Sequence, residues 1–288
     1  MKAIVFGEII WDVYPDEKVI GGAPFNFSAH LSHLGSEAHL ISAVGEDDLG
    51  SDAMNEMKKH GICTDLMQTV SYPTGCCLVT LNEQKIPSYN VLENVAYDHI
   101  PVSDDLFNRI DEIGADVFYF NTLIQRNESS RATLKTILES HTFPELFCDV
   151  NLRPNCFDKD SLLLCLENVT ILKISDEESH FLTDMGLISA DTEKRSIPEA
   201  IAEAFPNIKL VVYTLGKDGS KVYDTKAKKL YASGKPEAVQ VVSTVGAGDC
   251  FGATFLHHYL TGASIPDAIR QATLRSNIVV SHREAVPF

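Results

Sequence analysis

The sequence predicts an α/β fold, a largely parallel β-sheet covered by helices, and three observations carry that prediction. Short runs rich in β-branched residues recur along the chain, longer amphipathic segments separate most of them, and helix start signals stand where several of those segments begin. The strand runs are KAIVFGEI (2–9), HLISAVG (39–45), DVFYF (116–120), LFCDV (146–150), VTILKI (169–174) and KLVVYTLG (209–216).

Taken in order, the N-terminal run is too short for the apolar core of a secretory signal and reaches Glu8 and Asp12 almost at once, so it reads as a first strand. Between about residue 66 and residue 100 the helical period vanishes. There GCCLVTLNE (75–83) and IPSYNVLEN (86–94), separated by Gln84-Lys85, read as an antiparallel hairpin. It either stands off the main sheet to cover a ligand or forms an antiparallel edge of the same sheet. Ser103-Asp104-Asp105 before LFNRI, Ser175-Asp176-Glu177-Glu178 before FL, and Pro266-Asp267 before AIRQATLRSNIVV are helix starts. In each, short polar or acidic side chains suit the unpaired amides and positive dipole end of a first turn. With no low-complexity tract or internal repeat, residues 1–288 read as a single domain. It carries a small lid built from the hairpin region at 66–100 and the segment at about 11–20.

Composition narrows the partners. The 288 residues are 44% apolar, enough for a sizeable core, and 40 acidic against 24 basic residues leave a formal charge of −16. That sign opposes nucleic-acid phosphates and anionic membranes, so neither is an expected partner. Seven cysteines, at 63, 76, 77, 148, 156, 165 and 250, show no CxxC pair and no His/Cys cluster at metal-ligand spacing along the chain, and read as reduced thiols. No run approaches the roughly 18 apolar residues of a membrane span, so a soluble, cytoplasmic protein is expected.

The strongest local signal is Ser243-Thr244-Val245-Gly246-Ala247-Gly248-Asp249 ahead of the helix-like CFGATFLHHYL. Small residues at a helix start let backbone N–H groups face an anion without Cβ obstruction, and the helix dipole adds to the attraction. No Gly-Lys-Ser/Thr follows, so this is not a Walker A loop. Asp249 beside a phosphate cradle suits proton abstraction from an attacking hydroxyl. Taken alone, the same residues serve equally well as an N-cap and a turn. His257 and His258 lie about two turns further on without a nucleophile motif and read as packing residues, while Trp11 suits a substrate mouth or the core equally.

TVGAGDCFGATF resembles the C-terminal signature D-T-x-G-A-G-D of PfkB carbohydrate kinases, and GGAPFNFSAHLSHLG resembles their N-terminal glycine-rich signature. GEIIWDVYP, the D-x-N-x-R of Asp149, Asn151 and Arg153, and TLGKDGS extend the resemblance over nearly the whole chain. The resemblance implies a ribokinase-like, Rossmann-like α/β fold with a small β-sheet lid and an ATP- and Mg²⁺-dependent kinase. By it, Asp249 is the catalytic base and the Gly246, Ala247 and Gly248 amides form the anion hole. Thr214, Gly216 and Asn277 belong to the nucleotide site, and Asp12, Gly21, Gly22, Asn26 and Arg153 to the substrate site. Glu178, in the position of the N-x-x-E glutamate, reaches Mg²⁺ through water, with Ser175 standing where Asn is usual. Three departures bear on cations: Ser175, Ser243 in place of the opening Asp, and Arg283-Glu284-Ala285 where Gly-Ala is common. Ser243 in particular argues against a monovalent-cation site.

D-x-N-x-R and GEIIWDVYP look like fructokinase-like members, so phosphorylation of fructose at its 6-hydroxyl is the leading assignment. The alternatives are another small alcohol, such as 2-keto-3-deoxygluconate, ribose or a nucleoside, and a sugar-binding regulatory protein with weak turnover. A nucleoside would call for a stacking aromatic in the lid, where Tyr89 is the one aromatic of the hairpin. Exposed lid strands suggest a homodimer through the lid.

Overall fold

The computed structural model describes residues 1–81, 87–189 and 195–288, with side chains at 80–89 left aside. The Gln84-Lys85 turn and the Tyr89 side chain therefore lie outside the described residues.

Each predicted strand run forms a strand of one large sheet: β1 (Lys2–Phe6), β4 (Glu37–Gly45), β8 (Val117–Asn121), β9 (Glu145–Asp149), β10 (Ile171–Ser175) and β11 (Leu210–Thr214). These pair in parallel, as strands joined through helical crossovers must. The sheet is completed by β5 (Met67–Val70), parallel to β4, and by β12 (Ser220–Asp224) and β13 (Lys229–Ala232), which close the far edge as an antiparallel meander. The order is β13-β12-β11-β10-β9-β8-β1-β4-β5. From β1 the chain runs first outward to β4 and β5, then returns to β8 and builds the other half, so the order reverses between β1 and β8. In open α/β sheets such a switch point leaves a crevice at the carboxyl ends of the strands.

Strand side chains alternate between two cores because both sheet faces are covered. Ile4, Phe6, Phe118, Phe120, Leu172 and Ile174 pack with α3 (Asp104–Ile113), α4 (Glu128–Ser140), α5 (Lys159–Asn168), α6 (Asp176–Asp184) and α7 (Ile197–Ala204). Val5, Tyr119, Phe147, Ile171 and Val212 pack with α1 (Ala23–His33), α2 (Asp48–Lys59), α8 (Ala247–Leu260) and α9 (Ile265–Val280). The helix starts behave as the sequence suggests: Ser103 accepts the amide of Leu106 at the head of α3, and Ser264 that of Asp267 at the head of α9.

The region without helical period resolves the choice between edge and separate sheet. β6 (Cys76–Leu81) and β7 (Pro87–Val91) pair antiparallel and join β2 (Ile10–Val13) and β3 (Lys18–Gly21) in a second, four-stranded sheet of order β3-β2-β6-β7. The excursion is narrower than 66–100, because β5 belongs to the large sheet and Ala96–His99 forms a 3₁₀ turn. A buried bidentate ion pair ties that turn down, with Arg126 Nε and a terminal nitrogen donating to the two oxygens of Asp98 at 2.8 Å. Among the described residues no helix is long and apolar enough to cross a membrane.

Candidate active site

The carboxyl ends of β1, β8 and β9, the head of α1 and the head of α8 converge at the switch point. α8 begins at Gly246, whose φ of +78° is left-handed and whose Cβ, if it had one, would lie 2.5 Å from the Cβ of Ala285. Glycine is required there on both counts. The Ala247 amide turns back to the Thr244 carbonyl at 3.3 Å. Of the loop amides the sequence nominates, that of Gly248 remains as a first-turn donor without an intrahelical acceptor, joined by that of Asp249 itself.

Asp249 is not the N-cap. It sits in the first turn of α8, half-buried, and its carboxylate accepts from Asn26 Nδ2 at 2.8 Å instead of folding onto the helix backbone. Burial pushes its carboxyl upward, opposed by the Asn26 hydrogen bond and by the charges of Lys173 and Arg153. Asn26 is buried in α1, and its Oδ1 has no partner.

The α1 head is set by Gly21-Gly22. Gly22 has φ +101°, and an added Cβ would stand 2.6 Å from the Glu8 carbonyl. The Ala23 amide behind it donates to Glu8 Oε1 at 3.2 Å, and Asn121 Nδ2 donates to both Glu8 oxygens at 3.2 and 2.9 Å. Glu8 is 1% exposed, and burial lifts its carboxyl from 4.5 to about 7 against the pull of Asn121 and Arg153. No motif in the sequence gives Glu8 or Asn121 a role. Their signal was an acid and an amide at the ends of two otherwise apolar strands.

Asp12 lies on β2 opposite Val19 and Cys77, its Oδ2 3.5 Å from where a Gly21 Cβ would be. Burial raises its carboxyl, and Cys77 and Arg153 pull it back. Arg153 is exposed beyond β9, its guanidinium donating to the Leu152 carbonyl at 3.1 Å, and its charge favours the ionised forms of Glu8, Asp12 and Asp249. Asn151, at φ +45°, is buried with its Nδ2 unpartnered. Orphaned polar atoms such as Asn26 Oδ1 and Asn151 Nδ2, beside a crevice, are what a polar ligand would satisfy.

Glu178 carries two structural duties. Its Oε2 accepts from the Ser175 amide and hydroxyl, both at 2.8 Å, closing a capping box, and its Oε1 accepts from the Leu152 amide at 2.8 Å. It thereby anchors the loop that carries Asn151 and Arg153. With both oxygens engaged, it suits contact with a water of a hard cation's shell better than direct ligation.

Thr214 ends β11, and Gly216, at φ +54°, opens the turn to β12. Asn277 on α9 donates to the Glu237 carbonyl at 3.4 Å, and Leu274 and Ile278 of the same helix and Val241, Val242 and Val245 of the segment before α8 are exposed. Ser243 Oγ accepts from the Val245 amide at 3.2 Å. Trp11 is buried, donating from Nε1 to the Leu49 carbonyl, and also lines a cavity with Phe25, Asn26 and Ala285, while His257 bonds Ser36 and serves packing. Although no metal-ligand spacing exists along the chain, folding brings His39, Cys63 and Asp65 within 4.8 Å. Both His39 nitrogens are already engaged, by Asp65 and Glu37, and the cluster lies at the opposite end of β4 from the crevice.

The model of the pfkB family of carbohydrate kinases matches residues 4–287. The chain belongs to that family. As a PfkB kinase it is a sugar phosphotransferase with the ribokinase-like fold. It is 25% identical to probable fructokinase-4 of Arabidopsis thaliana over 315 aligned positions, covering 99% of this chain and 92% of that protein. Its fold resembles that of an uncharacterized sugar kinase from Pyrococcus horikoshii in complex with ATP, with a TM-score of 0.82, 24% identity and coverage of 99% and 94% of the two chains. It also resembles a Vibrio cholerae fructokinase bound to fructose, ADP and calcium, with a TM-score of 0.78, 19% identity and the same coverages.

Proposed function

We propose that this PfkB kinase transfers the γ-phosphoryl group of ATP to the 6-hydroxyl of fructose, with Asp249 as the base. The observation that carries the reading is the placement of Asp249. Its carboxylate is oriented by Asn26 at the head of α8, beside unpaired first-turn amides. The hydroxyl proton of the sugar passes to Asp249 as the hydroxyl oxygen bonds to phosphorus. The bond from phosphorus to the β–γ bridging oxygen breaks, and ADP leaves with that electron pair. A carboxyl raised by partial burial is the stronger base for this step.

The first-turn amides of α8 meet the charge on the transferring group. Asp12 and the orphaned Asn26 and Asn151 atoms suit vicinal hydroxyls, and the exposed fork of Arg153 suits a phosphate or the sugar itself. Thr214 and Gly216 lie at the strand end where the nucleotide phosphates would rest, and the valine-rich rim with Leu274 and Ile278 offers an apolar seat for adenine beside Asn277. Mg²⁺, when bound to ATP, would neutralise phosphate charge, and Glu178 would meet its hydration shell. Ser243 leaves the loop without the carboxylate a monovalent cation would use, so turnover without potassium follows. The four-stranded sheet serves as the lid of a single domain, and pairing of its exposed edges would form a homodimer. Seven free cysteines suit a reducing, cytoplasmic setting.

The test is ADP release with ATP, Mg²⁺ and a panel of fructose, ribose, 2-keto-3-deoxygluconate and adenosine, beside Asp249→Asn. Fructose-dependent release that falls roughly 10²–10⁴-fold in the variant supports the whole reading. Preference for another acceptor on the panel refutes fructose and keeps the mechanism. Sugar binding without turnover would replace the kinase reading by that of a regulatory protein.

A further inference from the structure

The face of the sheet that packs on α1, α8 and α9 is apolar along β8 to β11, with Tyr119, Phe147, Ile171 and Val212 in contact there. Beyond Glu145 at the start of β9, two charges interrupt it. Asp149 and Lys173 are register partners on β9 and β10, and Lys173 Nζ donates to both Asp149 oxygens at 2.8 and 2.7 Å. Asp149 is 2% exposed and Lys173 5%. Such a pair adds little stability over two apolar residues, because desolvation offsets the attraction. Strand pairing does not need it, since every neighbouring position on this face does without charge.

Its surroundings explain it. Lys173 runs beneath the first turns of α8, where Gly248 and Gly252 are four residues apart on one face. A Cβ on Gly248 would lie 3.4 Å from Lys173 Nζ, and one on Gly252 would lie 3.1 Å from Lys173 Cδ. Two glycines in eight residues are unfavourable for a helix, and here they leave the path of the lysine stem open. The ammonium thus lies directly under Gly248, between the anion-binding amides and Asp149.

We propose that Lys173 is a positioning residue, held by Asp149, that places a fixed buried positive charge under the head of α8. There it keeps Asp249 ionised and adds to the field that the Gly248 and Asp249 amides present to the transferring phosphoryl group. The charge is internal and permanent, so it does the work at a site whose loop carries Ser243 instead of a cation-binding carboxylate. This rests on Asp249 being the base. The groups that act on Asp249 are Asn26 from α1, Lys173 from β10 and Arg153 beyond β9, while Glu8, Tyr119, Asp149 and Cys250 feel its charge in turn, and Glu178 from α6 acts on both Lys173 and Asp149. Lys173 is the one cation among them inside the sheet.

Three variants and the wild type, with kcat and kcat/KM measured against pH, test it. Lys173→Met keeps the stem and removes the charge. It should lower kcat about tenfold to a hundredfold with both KM values changed less than about threefold. It should also move the acidic limb of the profile upward by about one unit, as loss of a neighbouring opposite charge requires. Asp149→Asn keeps the lysine and removes a carboxyl that burial lifts to about 7 even beside Lys173, so its acidic limb should move down or stay in place, and not up. Titration of ATP is common to all profiles and cancels. Because K173M leaves Asp149 buried and unpaired, the double variant K173M/D149L, lacking both charges, checks against simple misfolding and should remain as slow as K173M while melting like the wild type. A double variant within about threefold of wild-type kcat, a K173M acidic limb that does not move up, or a D149N limb that moves up with it would overturn the proposal. Full activity of Asp249→Asn would instead remove the base on which it rests, and that outcome is separable because it appears in the wild-type background.

Discussion

Glu8 makes the energetics of this site measurable through pH. Its carboxyl is 1% exposed and is displaced from 4.5 to about 7, with burial the largest cause and the Asn121 hydrogen bond and Arg153 opposing it. In the unfolded chain it ionises near its ordinary value, whereas in the fold it keeps its proton until about pH 7. Between those values the folded state holds the extra proton, so stability falls as pH rises through the window and levels off above it. At about 1.4 kcal/mol per unit the full displacement amounts to about 3 kcal/mol, of which about 2 kcal/mol develops between about pH 5.5 and about pH 8. Glu8→Gln removes the titration. Its hydrogen-bonding loss is the same at every pH, and the titrations of Asp149 and the other carboxyls occur in both proteins and cancel in the difference. Urea unfolding of both proteins at the two pH values should show the stability of the variant relative to the wild type rising by about 2 kcal/mol from the lower to the higher pH. A relative stability independent of pH would mean that Glu8 is ionised throughout and that its burial does not act as described.

Other perturbations follow from the same geometry. Gly246→Ala meets both a left-handed backbone and Ala285 2.5 Å away, so a loss of about 2 kcal/mol or more in unfolding free energy and a matching drop in kcat are expected; a melting temperature equal to the wild type would contradict this. Asp12→Ala should raise KM for the sugar roughly tenfold to a hundredfold and leave KM for ATP unchanged, as loss of a charged hydrogen bond implies; equal changes in both would place Asp12 elsewhere. Asp98→Ala leaves Arg126 buried and uncompensated and should reduce stability by about 3–5 kcal/mol in urea, with kcat of the folded fraction retained.

The predicted core strands and marked helix starts were legible because apolar period and short polar caps are local properties, and β1, β4, β8, β9, β10 and β11 all form where the runs lie. β12 and β13 were not read from the sequence, since half-exposed antiparallel edge strands have no uniform apolar signal. The glycine loop and Asp249 were legible for the same local reason, small residues before a helix with an acid at its head. Glu8, Asn121 and Lys173 were not, because each is a single polar residue in or beside an apolar strand. Nothing local says whether such a residue is a satisfied structural group or part of a site.

By itself, then, the order of residues determined the α/β class, the excursion that becomes the small sheet, and the chemistry available at 243–249. Only the tertiary structure decided which distant residues share one crevice. Asn26 meets Asp249 across 223 positions and Asn121 meets Glu8 across 113, because strand order reverses between β1 and β8 and brings those ends together. Burial decided the rest. A carboxyl or an ammonium has its ordinary properties in a sequence, and it departs from them only when neighbours remove its water and supply charges in its place.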